Sequence, residues 1–220
     1  MSARDIWAVV PVKEMAQAKQ RLSVRLSQEE RRALAEAMAA DVLATLARVP
    51  ALAGIVVVTV DPTAIRLAAE YGARVLTEGA REGHTGAVMT AARMLAREGR
   101  GGMLTIPADI PCVTEAEIET VLEAHRPAPS FTIVPAHDGR GSNAVLLSPP
   151  DVAPLCFGDD SFLPHLDSSR RCGIEPTVLR LRGIGLDLDH PADLAAMADM
   201  RPPLESRTFH LQRILERRSG

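Results

Sequence analysis

The chain has 220 residues, 46% hydrophobic and 24% charged, the balance of a soluble globular protein with room for a substantial core. A net charge of −3, a pI near 6.1 and only 3% aromatic residues argue against nucleic-acid or anionic-membrane partners and against base-stacking platforms. No apolar run is long enough to span a bilayer, no charged-then-apolar leader precedes the first strand, and three cysteines without CxxC spacing fit reduced thiols in a cytoplasmic protein.

In chain order, "DIWAVVPV" (5–12) reads as a buried strand that ends at Pro11, followed by a basic loop. Ser27 with Glu30 forms a capping box, and Leu34, Met38, Val42 and Leu46 step by four along the helix that follows. "GIVVVTV" (54–60) is a second buried strand, and Asp61-Pro62 caps a helix that ends at Gly72. A short strand at 73–76, a helix at 86–98 and a strand at 102–107 come next, then a second capping box, Thr114 with Glu117. Segments 130–135 and 143–148 read as strands joined by "AHDGRG", a hairpin that would make the sheet mixed. A helix is expected over 160–172, strands at "TVLRL" and "IGLDLD", and a last core helix opened by Pro191. Alternating strands and helices predict an α/β fold: a single Rossmann-like domain with a mainly parallel, mixed sheet and helices on both faces. "MRPPLES" (200–206) marks a boundary, so 1–200 forms the domain and 201–220 a C-terminal tail. "RTFHLQRILERR" in that tail reads as a helix that packs back or meets another subunit, so a homodimer is compatible with it.

Three places carry chemistry. Of the 25 basic residues, 23 are arginine; the two lysines, Lys13 and Lys19, both fall in "VPVKEMAQAKQRL". A compact ammonium suits phosphate where a planar guanidinium does not fit, although chance placement on a solvated helix would give the same pattern. Asp109 stands in "PADIP" just after a buried strand, where an open α/β sheet keeps its ligands, and where a turn is the simpler role. In "LDLDHPADL", Asp187 and Asp189 are separated by one residue, so an extended backbone points both carboxylates the same way. Like charges on one face repel unless a cation joins them, and hard oxygens suit Mg²⁺; a solvated strand end is the alternative. Asp193 is assigned to the cap of the following helix. The loops "HDGRGSN", with Ser142 and Asn143, and "CFGDDSF", with Gly158 and Ser161, can present backbone amides to an anion but are also everyday loop compositions. Neither GxxxxGK[ST] nor GxGxxG is present, which disfavours ATPase and dehydrogenase folds.

The order "PVK…AK.RL", "SQEERRALAEAMAADVL", "VVTVDP", "PADIP", "G.GSNAVLL", "FG..SF..H" and "LDLDHPADL" closely resembles the CofC/FbiD guanylyltransferases of coenzyme F420 biosynthesis, over about residues 6–198. The resemblance implies a MobA-like nucleotidyltransferase fold. It implies transfer of GMP from GTP to a small phosphorylated acid: 2-phospholactate, phosphoenolpyruvate or 3-phosphoglycerate. By that resemblance Asp109, Asp187 and Asp189 hold Mg²⁺, and Pro11, Val12, Lys13, Lys19 and Arg21 lie along the triphosphate. Ser142 or Asn143, with Gly158 and Ser161, contact the phosphoacid. Where the family usually reads "GLN.AL" leading into the helix near the base, this chain departs and reads "GHTGAV" (83–88), with His84 and Thr85 in place of the usual Leu and Asn; the resemblance leaves Thr85 on the nucleotide, and His84 reads equally as a plain surface histidine. The polar set around the acceptor, with Arg140, favours the hydroxyl-bearing 3-phosphoglycerate. A sugar-nucleotide glycosyltransferase with a DxD motif, and a nucleotide-binding protein without turnover, are the competing readings.

Overall fold

The structure is a computed structural model that describes residues 5–200 and 205–219. Seven strands form one sheet in the order β3-β2-β1-β4-β6-β5-β7. The strands β1 (Ile6–Pro11), β2 (Gly54–Val58), β3 (Arg74–Leu76) and β4 (Gly102–Thr105) run parallel. The hairpin expected at 130–148 is present: β5 (Ser130–Pro135) and β6 (Ser142–Ser148) are antiparallel, β6 lies antiparallel to β4, and β7 (Thr177–Val178) is parallel to β5.

The Val-rich strands form because both faces of the sheet are covered. Val10, Val57, Leu104 and Leu146 point to one face, against α1 (Gln28–Ala47), α2 (Pro62–Glu70) and α4 (Glu115–Ala124). Their sequence neighbours Val9, Val56, Met103 and Val145 point to the other, against α3 (Gly83–Arg97) and α5 (Phe162–Arg171). Both capping boxes and the Asp61 cap are formed. A third cluster joins Leu22, Leu34, Met38, Leu186, Leu188 and Met197 at one end of the molecule. α8 (Arg207–Ser219) lays Phe209, Leu211 and Leu215 against it. Asp41 of α1 receives the start of that helix, accepting hydrogen bonds from the Arg207 and Thr208 amides and the Ser206 hydroxyl. Part of the expected boundary, 201–204, lies outside the described residues. Among these, no helix is long and apolar enough to cross a membrane, and all three cysteines are free.

Three expectations change. The helix expected from 86 begins at Gly83, so His84 and Thr85 stand in its first turn. "TVLRL" supplies only a two-residue strand. "IGLDLD" is not a strand at all: it is the end of the short helix α6 (Arg182–Gly185) followed by extended chain leading to α7 (Pro191–Asp199). The alternation is real, because Leu186 and Leu188 are buried, but β6 already has a partner on each side. Side chains hold the segment instead. Asn143 Nδ2 donates to the carbonyls of Ile184 and Gly185, and the Leu188 amide donates to Asp109 O at 3.0 Å. Burying the two leucines contributes roughly 1.5–3 kcal/mol each, enough to fix a loop that carries two neighbouring carboxylates.

Candidate active site

The loop after β1 is built as two single helical turns, Met15–Gln17 and Gln20–Leu22. Val12 continues toward β2 through a hydrogen bond to Val58 O, and Met15 and Leu22 anchor the loop in the core. Asp61 does double work that its capping role alone does not reveal. One oxygen accepts from the amides of Thr63 and Ala64; the other accepts from the Met15 amide at 2.9 Å.

Between the turns, Lys19 has φ 53° and ψ 44°, the only positive φ of a residue other than glycine among the described residues. That conformation costs on the order of 1 kcal/mol or more and persists only where surroundings enforce it. Here two carboxylates do so: Nζ lies 2.7 Å from Asp109 Oδ2 and 2.7 Å from Asp189 Oδ1, with the side chain 7% exposed. Burial by itself would lower the lysine pKa, but the two acids outweigh it and raise the ammonium above its ordinary value. Burial would likewise raise Asp109, and the adjacent ammonium holds it below the usual carboxylate range instead.

Asp187 behaves differently. Its Oδ1 accepts from Asn143 Nδ2 at 3.1 Å, and it has no lysine. Burial first, and then the charges of Asp109 and Asp189, push its pKa up against that hydrogen bond. Asp193 caps the next helix as expected, accepting from the amides of Asp189 and His190. Arg21 stands at the rim, 3.4 Å from Asp189 and 3.6 Å from Asp159.

Of these groups, Lys19, Asp109 and Asp189 border a cavity of about 610 Å³ at the C-terminal ends of the parallel strands, lined also by Pro11, Val12, Lys13 and His84 among others. Lys13 is exposed and has no carboxylate partner among the described residues. His84 forms part of the wall, its ring 4.4 Å from that of Phe157. Burial, reinforced by Lys13 and opposed by Asp109, lowers its pKa to about 4, so it is a neutral ring at ordinary pH.

The expected acceptor residues lie together but are turned toward one another. Ser161 Oγ donates to Ser142 Oγ at 3.3 Å, and Ser142 is 3.0 Å from His165 Nδ1. His165 Nε2 accepts from the Cys156 amide at 2.9 Å, which leaves the imidazole proton on Nδ1. Ser142, Ser161 and His165 are all buried, and Asn143 is engaged by the acidic loop. Arg140 pairs with Asp160 on the surface. The hydroxyl-reading pocket inferred for 3-phosphoglycerate is therefore not formed by free side chains. Gly158 is open, with no atom within 4 Å of where a Cβ would be. Thr85 does not line the cavity: its Oγ1 accepts from the Phe157 amide at 2.9 Å and donates to the Phe157 carbonyl at 3.4 Å. Sequence reasoning gave no role to His165, Phe157 or the second function of Asp61. The first two are the end letters of "FG..SF..H", which was legible as a motif.

Among the described residues no three His, Cys, Asp or Glu side chains converge as a ready-made metal cage. Mg²⁺ does not require one, since one or two carboxylates plus substrate phosphates suffice. Asp109 and Asp189 share the one Lys19 ammonium, and Asp187 has no lysine or arginine partner, only the His137 ring at 3.9 Å, so the hard-oxygen set carries negative charge that a divalent ion can compensate.

An acidic set at the ends of parallel strands, facing a lysine-bearing loop across a cavity, is arranged for phosphate chemistry. Its fold is shared with a provisionally named nucleotide-diphospho-sugar transferase of Desulfovibrio desulfuricans G20, at TM-score 0.78 and 20% identity over 99% of this chain and 98% of that one. A nucleotidyl transferase of Methanothermobacter superposes at TM-score 0.62 and 16% identity, covering 89% and 96%. The protein is a nucleotidyltransferase. The family model described as "Guanylyl transferase CofC like" matches residues 6–200, and the chain belongs to that family. A phosphoenolpyruvate guanylyltransferase of Conexibacter woesei is 35% identical over 88% of this chain and 87% of its own length. A 3-phospho-D-glycerate guanylyltransferase of Colwellia psychrerythraea is also 35% identical, covering 89% and 92%. A 2-phospho-L-lactate guanylyltransferase of Methanothermobacter thermautotrophicus is 33% identical, covering 85% and 81%.

Proposed function

We propose that this protein transfers GMP from GTP to a three-carbon phosphorylated carboxylic acid, releasing pyrophosphate, in the cytoplasmic synthesis of coenzyme F420. The observation that carries the reading is the Lys19 ammonium spanning Asp109 and Asp189 at the mouth of the cavity, because it joins the basic and acidic sides at one point. A phosphate oxygen of the acceptor attacks the α-phosphorus in line, and pyrophosphate leaves. No covalent enzyme intermediate is needed, since a phosphate dianion is already a competent nucleophile. Lys13, free of carboxylates, neutralises charge on the β- and γ-phosphates, and Arg21 screens the rim. Asp109, Asp187 and Asp189 are the residues that would hold Mg²⁺, which supplies electrophilic activation of the phosphates when bound. Asn143 keeps Asp187 aimed at that point, and the 156–161 loop receives the acceptor through its amides.

Relatives named for all three acids lie at similar identity, and the acceptor hydroxyl of 3-phosphoglycerate meets no free hydroxyl pocket here. The acceptor is therefore defined by its shared carboxylate and phosphate. The test supplies GTP, Mg²⁺ and each acid separately and measures pyrophosphate and the GMP-linked product. Turnover with at least one acid is expected; none with any of them overturns the reading, and turnover with a sugar nucleotide instead would restore the glycosyltransferase alternative.

A further inference from the structure

We propose that Thr85 is a positioning residue for the acceptor side of the cleft and does not read the nucleobase; the inference rests on the guanylyl-transfer reading of the same site. Adjacent residues in the first turn of α3 serve two compartments. His84 lines the large cavity, while Thr85 turns away from it and brackets Phe157, accepting its amide proton at 2.9 Å and donating to its carbonyl at 3.4 Å. Two histidines pack on the bracketed residue. The His84 ring lies tilted by 34° against Phe157, 4.4 Å between centroids, and His165 meets the same ring in a T-shaped contact at 4.8 Å. His165 also takes the amide of Cys156.

Two consecutive amides, Cys156 and Phe157, are thereby fixed by side chains from two different helices. The amides that follow, from Gly158 to Ser161, have no acceptor among the described residues, and the Phe162 amide is bonded again, to Arg140 O. A row of amides between two pinned points is a preorganised anion cradle only while the pins hold. Thr85 is the pin that comes from α3, next to His84 in the wall of the cavity. The hydroxyl's one proton is committed to the Phe157 carbonyl, so it cannot donate to a base, and its remaining lone pair is not presented to the cavity, which Thr85 does not line.

The test is Thr85→Val, which keeps the branched shape and removes the hydroxyl, with Thr85→Ser as the rescue. In the unliganded protein, hydrogen exchange at the Phe157 amide is expected to accelerate roughly tenfold in T85V and to return in T85S. In steady-state kinetics with the acid that turns over, T85V raises the acceptor KM roughly tenfold and leaves the GTP KM within about twofold. Unchanged exchange at Phe157, or a raised GTP KM with an unmoved acceptor KM, overturns the proposal. Absence of turnover with every acid would fail the guanylyl-transfer reading instead, and the exchange measurement still decides whether Thr85 pins the loop.

Discussion

On the side of the cleft that follows β1, charged side chains reach across to other elements: Lys19 to Asp109 and Asp189, Arg21 to Asp189 and Asp159, and Lys13 into the cavity. On the side built from β6 and the 156–161 loop, Ser142, Ser161, Thr85 and His165 bond to one another or to backbone, Asn143 bonds to backbone and Asp187, and the charged side chains that face outward are the acids Asp159 and Asp160. On the proposed reading, the first side recognises charge with side chains and the second uses side chains as scaffolding for amides. A polar residue near a site is thus a poor guide to what it touches. The Ser142 and Ser161 hydroxyls, which point to a hydroxyl-bearing acceptor in the sequence, are bonded to each other and, for Ser142, to His165.

The largest expected break in this comparison comes from the acids. Asp109→Asn should lower turnover roughly a thousandfold and also lower the melting temperature, because Lys19 loses one of its two partners while still buried. Asp187→Asn should abolish activity comparably but raise the melting temperature, since burial and two like charges disfavour its ionised form. Paired rate and thermal-melt measurements check both, and identical stability changes in the two variants would contradict the division of roles. Lys13 and Lys19 come next. Lys19→Ala should destabilise the fold as well as slow transfer, by leaving the carboxylates mutually repelling, whereas Lys13→Ala should slow transfer roughly 10- to 100-fold with an unchanged melt.

A smaller effect tests the scaffold side. His165 is 1% exposed and its pKa is lowered to about 4, by burial first and then by His84. Between that value and the unfolded 6.5 the unfolded chain binds the proton and the native one does not. Stability therefore falls as pH drops through this window, by about 3 kcal/mol at most. His165→Asn should flatten the melting-temperature profile between pH 6.5 and 4 relative to the parent. The least effect is at the rim: Arg21→Ala removes exposed ion pairs at 3.4 and 3.6 Å and should change stability by less than about 1 kcal/mol, with any rise in the GTP KM shrinking at high salt.

The parts of the fold legible in the sequence were those whose cause is local. Capping boxes, the Asp61-Pro62 start and the Val-rich strands each carry their own signal and stand where expected. "IGLDLD" misled because alternation reports which side is buried, not whether a neighbouring strand is available; β6 had none to offer. Within the candidate site, Lys19, Asp109 and Asp189 were each visible singly, and the fold brings them to one point across 90 and 170 residues of sequence. The contact of Thr85 with Phe157 was not legible, because its partner is the backbone of a residue 72 positions away and backbone polarity leaves no trace in the side-chain code.

The third hydrophobic cluster ties the far end of the chain to the chemistry. Leu186 and Leu188, which back the acidic loop, share it with Phe209, Leu211 and Leu215 of α8, and Gln212 of that helix donates to Leu194 O in α7. The last helix thus backs the same cluster that holds the loop of Asp187 and Asp189, so a cut or a bulky fusion at the C-terminus is expected to be felt as a change in the spacing of two aspartates rather than as the loss of an ornament.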